Sequence, residues 1–180
     1  MSDTKKKGLL SVENLAILAM LIALEIVLKT YLQISLWNMR FGFGFLPIAI
    51  AARRYGAPHA AIVAALGDIV GYWLSTFSLG AYNPTLTISY AVSACVVALF
   101  IHQKCSIARI IGYCIFNGIV FTIFINTYCL FVLYHDFYNM TYAQMLVMRL
   151  PQAVIMAVVE CITMCLIYKK ADNIIMKKFR

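Results

Sequence analysis

Long apolar blocks separated by short polar stretches dominate this chain. Blocks of about 20 residues without polar alternation are typical of transmembrane helices rather than half-buried strands. They predict six helices, at residues 15–36, 43–52, 57–77, 84–101, 107–133 and 143–168. The second block would reach only roughly 15–18 Å at 1.5 Å per residue, short of a ~30 Å hydrocarbon core. We therefore expect it to form the floor of a recess that opens outward.

Composition agrees with a membrane protein. Only 12% of the 180 residues are charged and 63% are hydrophobic, whereas soluble domains average about 25% charged residues. We expect one all-α transmembrane domain covering residues 1–180. The first apolar block is too long for a cleavable signal peptide, and no small-residue cleavage site follows it.

Basic residues set the expected orientation. Twelve of the fifteen fall on one side of a six-pass arrangement, at positions 5–7, 53, 54, 104, 109, 169, 170, 177, 178 and 180. The positive-inside rule places that side, and both termini, in the cytoplasm. The formal net charge of +8 is thereby explained by topology, and no nucleic-acid partner is expected.

Six ionisable residues lie within or beside the predicted spans, where charge is costly. They are Glu25, Lys29, Arg40, Asp68, Arg149 and Glu160. Lys29, Arg40 and Arg149 converge on the outer half, which predicts an outward-facing pocket for an anion such as a carboxylate. The alternative is that these side chains snorkel to the interface. Pro151 should kink or start the sixth helix, so that Gln152 faces a polar space.

The acidic residues Glu25 and Asp68 leave alternatives open. Glu25 precedes Lys29 by four residues, the favourable order for a neutralising pair within one helix, unless Lys29 serves the pocket. Asp68 lies between Gly67 and Gly71, whose small-xxx-small spacing allows close helix packing. It could pair with one of the arginines or accept hydrogen bonds from a ligand. No specific role is assigned to Glu160.

The outer turn before the fourth helix has recognisable capping chemistry. Asn83 is a predicted N-cap and Pro84 occupies the first helical turn, with Thr87 one turn further on. Four nearby aromatic residues could stack on a flat ring, although aromatics at this depth more often form an interfacial belt. They are Tyr72, Trp73, Tyr82 and Tyr90.

Catalytic motifs are missing from the sequence. It contains no GxxxxGK[ST] phosphate loop, no GxSxG and no HExxH. The six cysteines form no CxxC and are expected to act as small packing residues. The sequence therefore favours binding or transport over catalysis, and no metal or cofactor is expected.

Four segments resemble the folate-specific S components of energy-coupling factor (ECF) transporters. They are Arg40-Phe41-Gly42-Phe43-Gly44-Phe45-Leu46-Pro47-Ile48, Gly67-Asp68-Ile69-Val70-Gly71, Tyr82-Asn83-Pro84 and Arg149-Leu150-Pro151-Gln152. The resemblance implies a six-helix, folate-binding subunit of the bacterial plasma membrane with an outward-facing pocket. It also implies partnership with a membrane coupling protein and two cytoplasmic ATPases, and rotation of the S component in the bilayer to deliver its vitamin.

The resemblance also implies roles for particular residues. On the first helix, the small face of Ala16, Ala19 and Ala23 would contact the coupling protein. The substrate site would draw on Lys29, Arg40, Gly42, Phe43, Asp68, Tyr72, Tyr82, Asn83, Pro84, Thr87, Arg149 and Gln152. The alternatives are an S component for another vitamin or precursor (queuosine precursor, pantothenate or thiamine) and a small intramembrane enzyme. The basic outer pocket argues against a cationic ligand such as thiamine.

Overall fold

A computed structural model describes residues 12–32, 34–36, 39–74, 82–102, 106–138 and 141–177. Its helices and strands follow one another as α1 (Val12–Thr30), β1 (Ile34–Leu36), β2 (Met39–Phe41), α2 (Phe45–Tyr55), α3 (Ala57–Leu74), α4 (Pro84–Ile101), α5 (Ile107–Phe116), a π-helical segment (Asn117–Ile125), α6 (Asn126–Tyr138) and α7 (Tyr142–Lys177). Because α5, the π segment and α6 follow one another without a break, they count as one passage, and the bundle has six. The prediction of a six-helix bundle is confirmed.

Within the described part of the chain, four helical segments are long and apolar enough to cross a bilayer: Ala57–Leu74, Pro84–Ile101, Ile107–Val132 and Tyr142–Leu166. Helix α1 has a similar length but carries Glu13, Glu25 and Lys29, and α2 has only 11 residues. Large apolar side chains are exposed on the outside of the bundle, as with Met20 at 71% and Leu99 at 76%. An apolar exterior of this extent, on helices of spanning length, indicates a surface that faces lipid.

The prediction that the first helix reaches Leu36 was wrong. Helix α1 ends at Thr30, and β1 and β2 then form an antiparallel hairpin with Leu36 opposite Met39 and Ser35 opposite Arg40. A short apolar run fits a strand as well as it fits the end of a helix, so hydropathy alone did not distinguish them. The hairpin lets the backbone of this stretch pair with itself where helix α1 has ended.

Helix α3 is the centre of the bundle, in contact with α1, α2 and α4. Alanines make this close packing possible, because their small side chains let helix backbones approach one another. Those that are at most 2% exposed are Ala51, Ala52, Ala60, Ala64, Ala94 and Ala98. The tightest part of the fold is therefore the α1–α4 half, and it supports the residues that lie at its outer end.

At the opposite end, α2 and the end of α4 are joined by reciprocal hydrogen bonds. The Nη1 of Arg53 donates to the carbonyls of Ile101, at 2.9 Å, and His102, at 2.7 Å. In return, the Nδ1 of His102 lies 3.1 Å from the carbonyl of Ala52. Gly56, with a φ of 83°, makes the sharp turn from α2 to α3 beside the His102 ring. These bonds satisfy carbonyls that the end of α4 would otherwise leave unpaired.

The last two passages are longer and less regular than predicted. The fifth predicted helix, 107–133, extends to Tyr138 and contains the π segment. The sixth, predicted at 143–168, runs from Tyr142 to Lys177 and holds Pro151 in its interior instead of starting there.

Candidate ligand-binding site

A chain of polar side chains connects three helices at the end of the bundle where α1 and α3 finish and α4 begins. The ammonium of Lys29 forms a salt bridge with Oδ1 of Asp68. The hydroxyl of Thr87 donates to Oδ2 of Asp68 at 2.5 Å, and the hydroxyl of Tyr82 lies 2.7 Å from that of Thr87. Since Thr87 gives its proton to Asp68, Tyr82 is the donor in that second bond. Both oxygens of Asp68 are thus held in place.

The glycines of α3 make room for the side chains of α1. The stem of Lys29 lies over Gly71, where an added Cβ would meet its Cδ at 3.6 Å. The carboxyl of Glu25 lies so close to Gly67 that any Cβ there would overlap it. The small-xxx-small spacing is therefore used to pack side chains of α1 onto α3.

Lys29 makes its ion pair across helices. Of the two alternatives for Lys29, a pair with Glu25 within α1 or a role in the pocket, the structure does not show the pair, because Lys29 reaches Asp68 on α3. The suggested pairing of Asp68 with an arginine is replaced in the same way. The ammonium of Lys29 also lies 4.3 Å from the ring centre of Tyr90, a cation–π arrangement. Glu25 is only 2% exposed.

Aromatic rings pack next to the polar chain at Tyr82. The rings of Tyr72 and Tyr82 are 5.2 Å apart at 60°, and Trp73 meets Tyr72 edge-on at 6.2 Å. Trp73 is 77% exposed, which suits the interfacial belt. Tyr72 and Tyr82 are half-buried and offer ring surface beside the carboxylate.

Helix α7 carries a second group of buried polar residues. Arg149 and Gln152 are 8% and 5% exposed and lie three residues apart, on the same face as buried Met145. A guanidinium buried to this extent is not snorkelling to the interface. Strand β2 packs against α7, which brings the backbone of Arg40 to this helix. The side chain of Arg40 lies outside the described part of the chain.

The remaining predicted site residues lie at the start of α4 and on the link between β2 and α2. The side chain of Asn83 accepts a hydrogen bond from the backbone N–H of Thr85 at 3.0 Å, and Pro84 begins α4. The predicted cap is confirmed, and it explains why α4 begins at the predicted residue. Gly42 and Phe43 lie on the link from β2 to α2.

The predicted partner-facing residues of α1 are all exposed. Ala16, Ala19 and Ala23 lie on a surface that the described helices do not cover. Their contact with a coupling protein stays a prediction.

A family model described as the S component of ECF-type riboflavin transporters matches residues 9–170. The chain is an ECF-type S component. Such a subunit is a membrane-embedded, substrate-binding part of a transporter and not an enzyme, which agrees with the apolar exterior and with a polar cluster enclosed by helices.

Known relatives of this S component include the folate transporter FolT of Clostridium novyi (strain NT), which is 37% identical over 95 residues. That match covers 52% of this chain and 54% of the relative, so it spans about half of either protein. Two solved structures have the same fold. A FolT bound with folic acid superposes with a TM-score of 0.75 at 22% identity, covering 85% of this chain and 89% of that one. The S component of a bacterial ECF transporter gives 0.67 at 20% identity, covering 91% and 97%.

Sequence reasoning missed the polar residues that join α4 to the following passage. Ser89 and Ser93 of α4 hydrogen-bond to Asn126 and Asn117. The available signal was the presence of two asparagines in an apolar block, since amides within spans usually bond to a neighbouring helix.

Proposed function

We propose that this S component binds folate from the extracellular side and delivers it through a coupling module of one membrane protein and two cytoplasmic ATPases. The observation that carries the proposal is the Lys29–Asp68–Thr87 network beside the Tyr72–Tyr82 ring pair. It combines a fixed acceptor, a cation and aromatic surface. The relationship to proteins named FolT supports folate as the ligand.

The chemistry of folate suits the two polar groups separately. Its pterin offers N–H donors along one edge and a flat face. Because Lys29 and Thr87 fix both oxygens of Asp68, and a carboxylate has about four acceptor positions, Asp68 can still accept from the pterin edge. Tyr72 and Tyr82 would lie against the ring. This arrangement is pre-organised, which reduces the entropy lost on binding.

The glutamate end of folate carries two carboxylates. We assign it to α7, where Arg149 offers a planar guanidinium suited to bidentate carboxylate binding and Gln152 a neighbouring amide. Arg40, on the strand that packs against α7, would add a further cation at the mouth. A hydrogen bond to a charged group contributes about 1.5–3 kcal/mol, which is roughly 10- to 100-fold in affinity.

Riboflavin is the second candidate, because the matching family model carries its name. Its flat ring would fit beside Tyr72 and Tyr82. Riboflavin has no carboxylate, however, so it would make no use of the positive charge on Arg149. The buried cation on α7 therefore favours folate.

The test is a titration of the detergent-purified protein with folate, riboflavin and thiamine, followed by tryptophan fluorescence or calorimetry. We expect saturable binding of folate and none of thiamine. Tight binding of riboflavin without folate binding would refute the assignment.

The assignment of the two ends is tested with pteroic acid, which lacks the glutamate. Arg149→Ala should weaken folate binding by at least tenfold and leave pteroate binding nearly unchanged. Arg109→Ala, which removes an exposed arginine at the opposite end of the bundle, is the matched control. Equal losses for folate and pteroate would place Arg149 away from the glutamate end.

A further inference from the structure

Both ends of the π segment are hydrogen-bonded to one face of α4. The hydroxyl of Ser93 donates to Asn117 at 2.8 Å, and that of Ser89 donates to Asn126 at 3.1 Å. Asn117 begins the π segment and Asn126 immediately follows it. The two serines are four residues apart on α4 and share a face.

The winding of the segment explains how both asparagines reach that face. Asn126 follows Asn117 by nine positions. In an α-helix, nine residues make about two and a half turns, and the two side chains would point to opposite sides. In a π-helix, whose i→i+5 bonds give about 4.4 residues per turn, nine residues make about two turns. The backbone N–H of Asn126 indeed donates to the carbonyl of Phe121, five residues back.

Helix α7 holds the same segment from the other side. The amide of Asn117 donates to the carboxyl of Glu160 at 3.2 Å. Gly118 lies so near α7 that an added Cβ would meet that of Ala157 at 3.5 Å. The segment is thus gripped by α4 and α7, the helices that carry Thr87 and Arg149 of the candidate site.

The segment also contains more residues than its two turns require. Two turns of α-helix take about seven residues, so the π form holds roughly two extra. If the bonds to α4 were lost, rewinding to an α-helix would turn α6 by about half a turn and lengthen the passage by about 3 Å.

We propose that the π segment is a register switch: Ser89 and Ser93 hold its π form, and their release lets α6 rotate by about half a turn. A ligand between α4 and α7 stabilises the held form, a step that rests on the folate-binding function proposed above. The hinge is the nine-residue segment itself, and the moving part is α6.

Thiol labelling tests the rotation without any ligand. Thr127 is fully buried and Tyr128 is 60% exposed, so half a turn would exchange their environments. In a cysteine-free version of the protein, the Thr127→Cys and Tyr128→Cys variants are labelled in detergent with an apolar maleimide. Adding Ser89→Ala and Ser93→Ala should speed labelling at 127 by at least fivefold and slow it at 128. Unchanged rates at both positions overturn the proposal. If the doubly substituted chain does not fold, Ser89→Ala alone should give the same directions with a smaller change.

Deleting two residues provides the decisive control. Removal of Ile123 and Phe124 leaves the two asparagines seven positions apart, which an ordinary α-helix brings to one face. The serine substitutions should then change the labelling rates by less than about twofold, because the shortened segment no longer contains the roughly two extra residues that rewinding to an α-helix would release. A deletion variant that still responds as the full chain does would refute the register explanation. Ser106→Ala, an exposed serine ahead of α5, controls for substitution as such.

Labelling in the presence of folate tests whether the rotation of α6 is coupled to the ligand pocket. Folate should reverse the faster labelling at Thr127→Cys in the variant that lacks both serines. Folate binding without any effect on labelling would overturn the link to the ligand. If the unsubstituted protein does not bind folate, the proposed function fails, while the serine and deletion experiments still decide whether the switch exists.

Discussion

The salt bridge between Lys29 and Asp68 should have separable roles in stability and in ligand binding. The two side chains are 23% and 12% exposed, so each charge depends on the other. Breaking a buried pair by removing one partner costs about 3–5 kcal/mol. Because Lys29 is partly exposed, we expect Asp68→Asn and Lys29→Met each to cost about 2–3 kcal/mol. The double variant leaves neither charge unpaired and should fall within about 1 kcal/mol of the unsubstituted protein.

Thermal unfolding in detergent measures the first role. For a chain of this length, 1 kcal/mol shifts Tm by about 2–4 °C, so each single substitution should lower Tm by about 4–12 °C. The double substitution should recover most of that loss. Folate titration measures the second role, and the double variant should still bind at least tenfold more weakly, because the carboxylate acceptor is gone. Glu13→Gln, an exposed charge at the start of α1, should change neither value appreciably.

Two results would contradict this reasoning in different ways. If the losses of Tm simply add in the double variant, Lys29 and Asp68 do not stabilise one another. If the double variant recovers stability and also binds folate as the unsubstituted protein does, the pair is structural and Asp68 does not contact the ligand.

Three further substitutions test other parts of the bundle. Gly67→Ala should lower Tm only slightly, by about 2–4 °C for about 1 kcal/mol, because the atoms that meet the added Cβ belong to the flexible end of Glu25; a much larger loss would show that Glu25 cannot move. Arg53→Ala should cost about 1–3 kcal/mol through the unsatisfied carbonyls at the end of α4, and an unchanged Tm would show that water replaces the guanidinium. Ala19→Trp should prevent co-purification with the coupling protein and leave folate affinity unchanged. The control Leu99→Trp, on the exposed face of α4, should change neither co-purification nor folate affinity. If the Ala19→Trp variant still co-purifies, the alanine face of α1 is not part of the interface.

Local sequence patterns correctly predicted those parts of the fold that depend on interactions between neighbouring residues. The bounds of α4 could be predicted because Asn83 and Pro84 define its start by hydrogen bonding and by backbone geometry. The apolar blocks predicted six passages, although the second block is too short to cross a bilayer by its length alone. The charged residues within the spans could also be identified, because a charge within an apolar block requires a partner, whereas the amides of Asn117 and Asn126 were missed.

The choice of partner could not be predicted. Whether Lys29 pairs with Glu25 or with Asp68 depends on how α1 is rotated and shifted against α3, and no local pattern encodes that. The π segment was missed for a related reason: its winding is stabilised by bonds from α4 and α7, and no local pattern in its own sequence indicates it. The hairpin was missed because three-residue strands give no periodic signal.

The contact between Glu25 and Gly67 links two positions that lie 42 residues apart in sequence. The carboxyl end of Glu25 occupies the space that a side chain at position 67 would fill. Related proteins with a larger residue at the position of Gly67 should therefore carry a shorter one at that of Glu25, and the two positions should covary. A redesign of the contact between α1 and α3 should change both positions together.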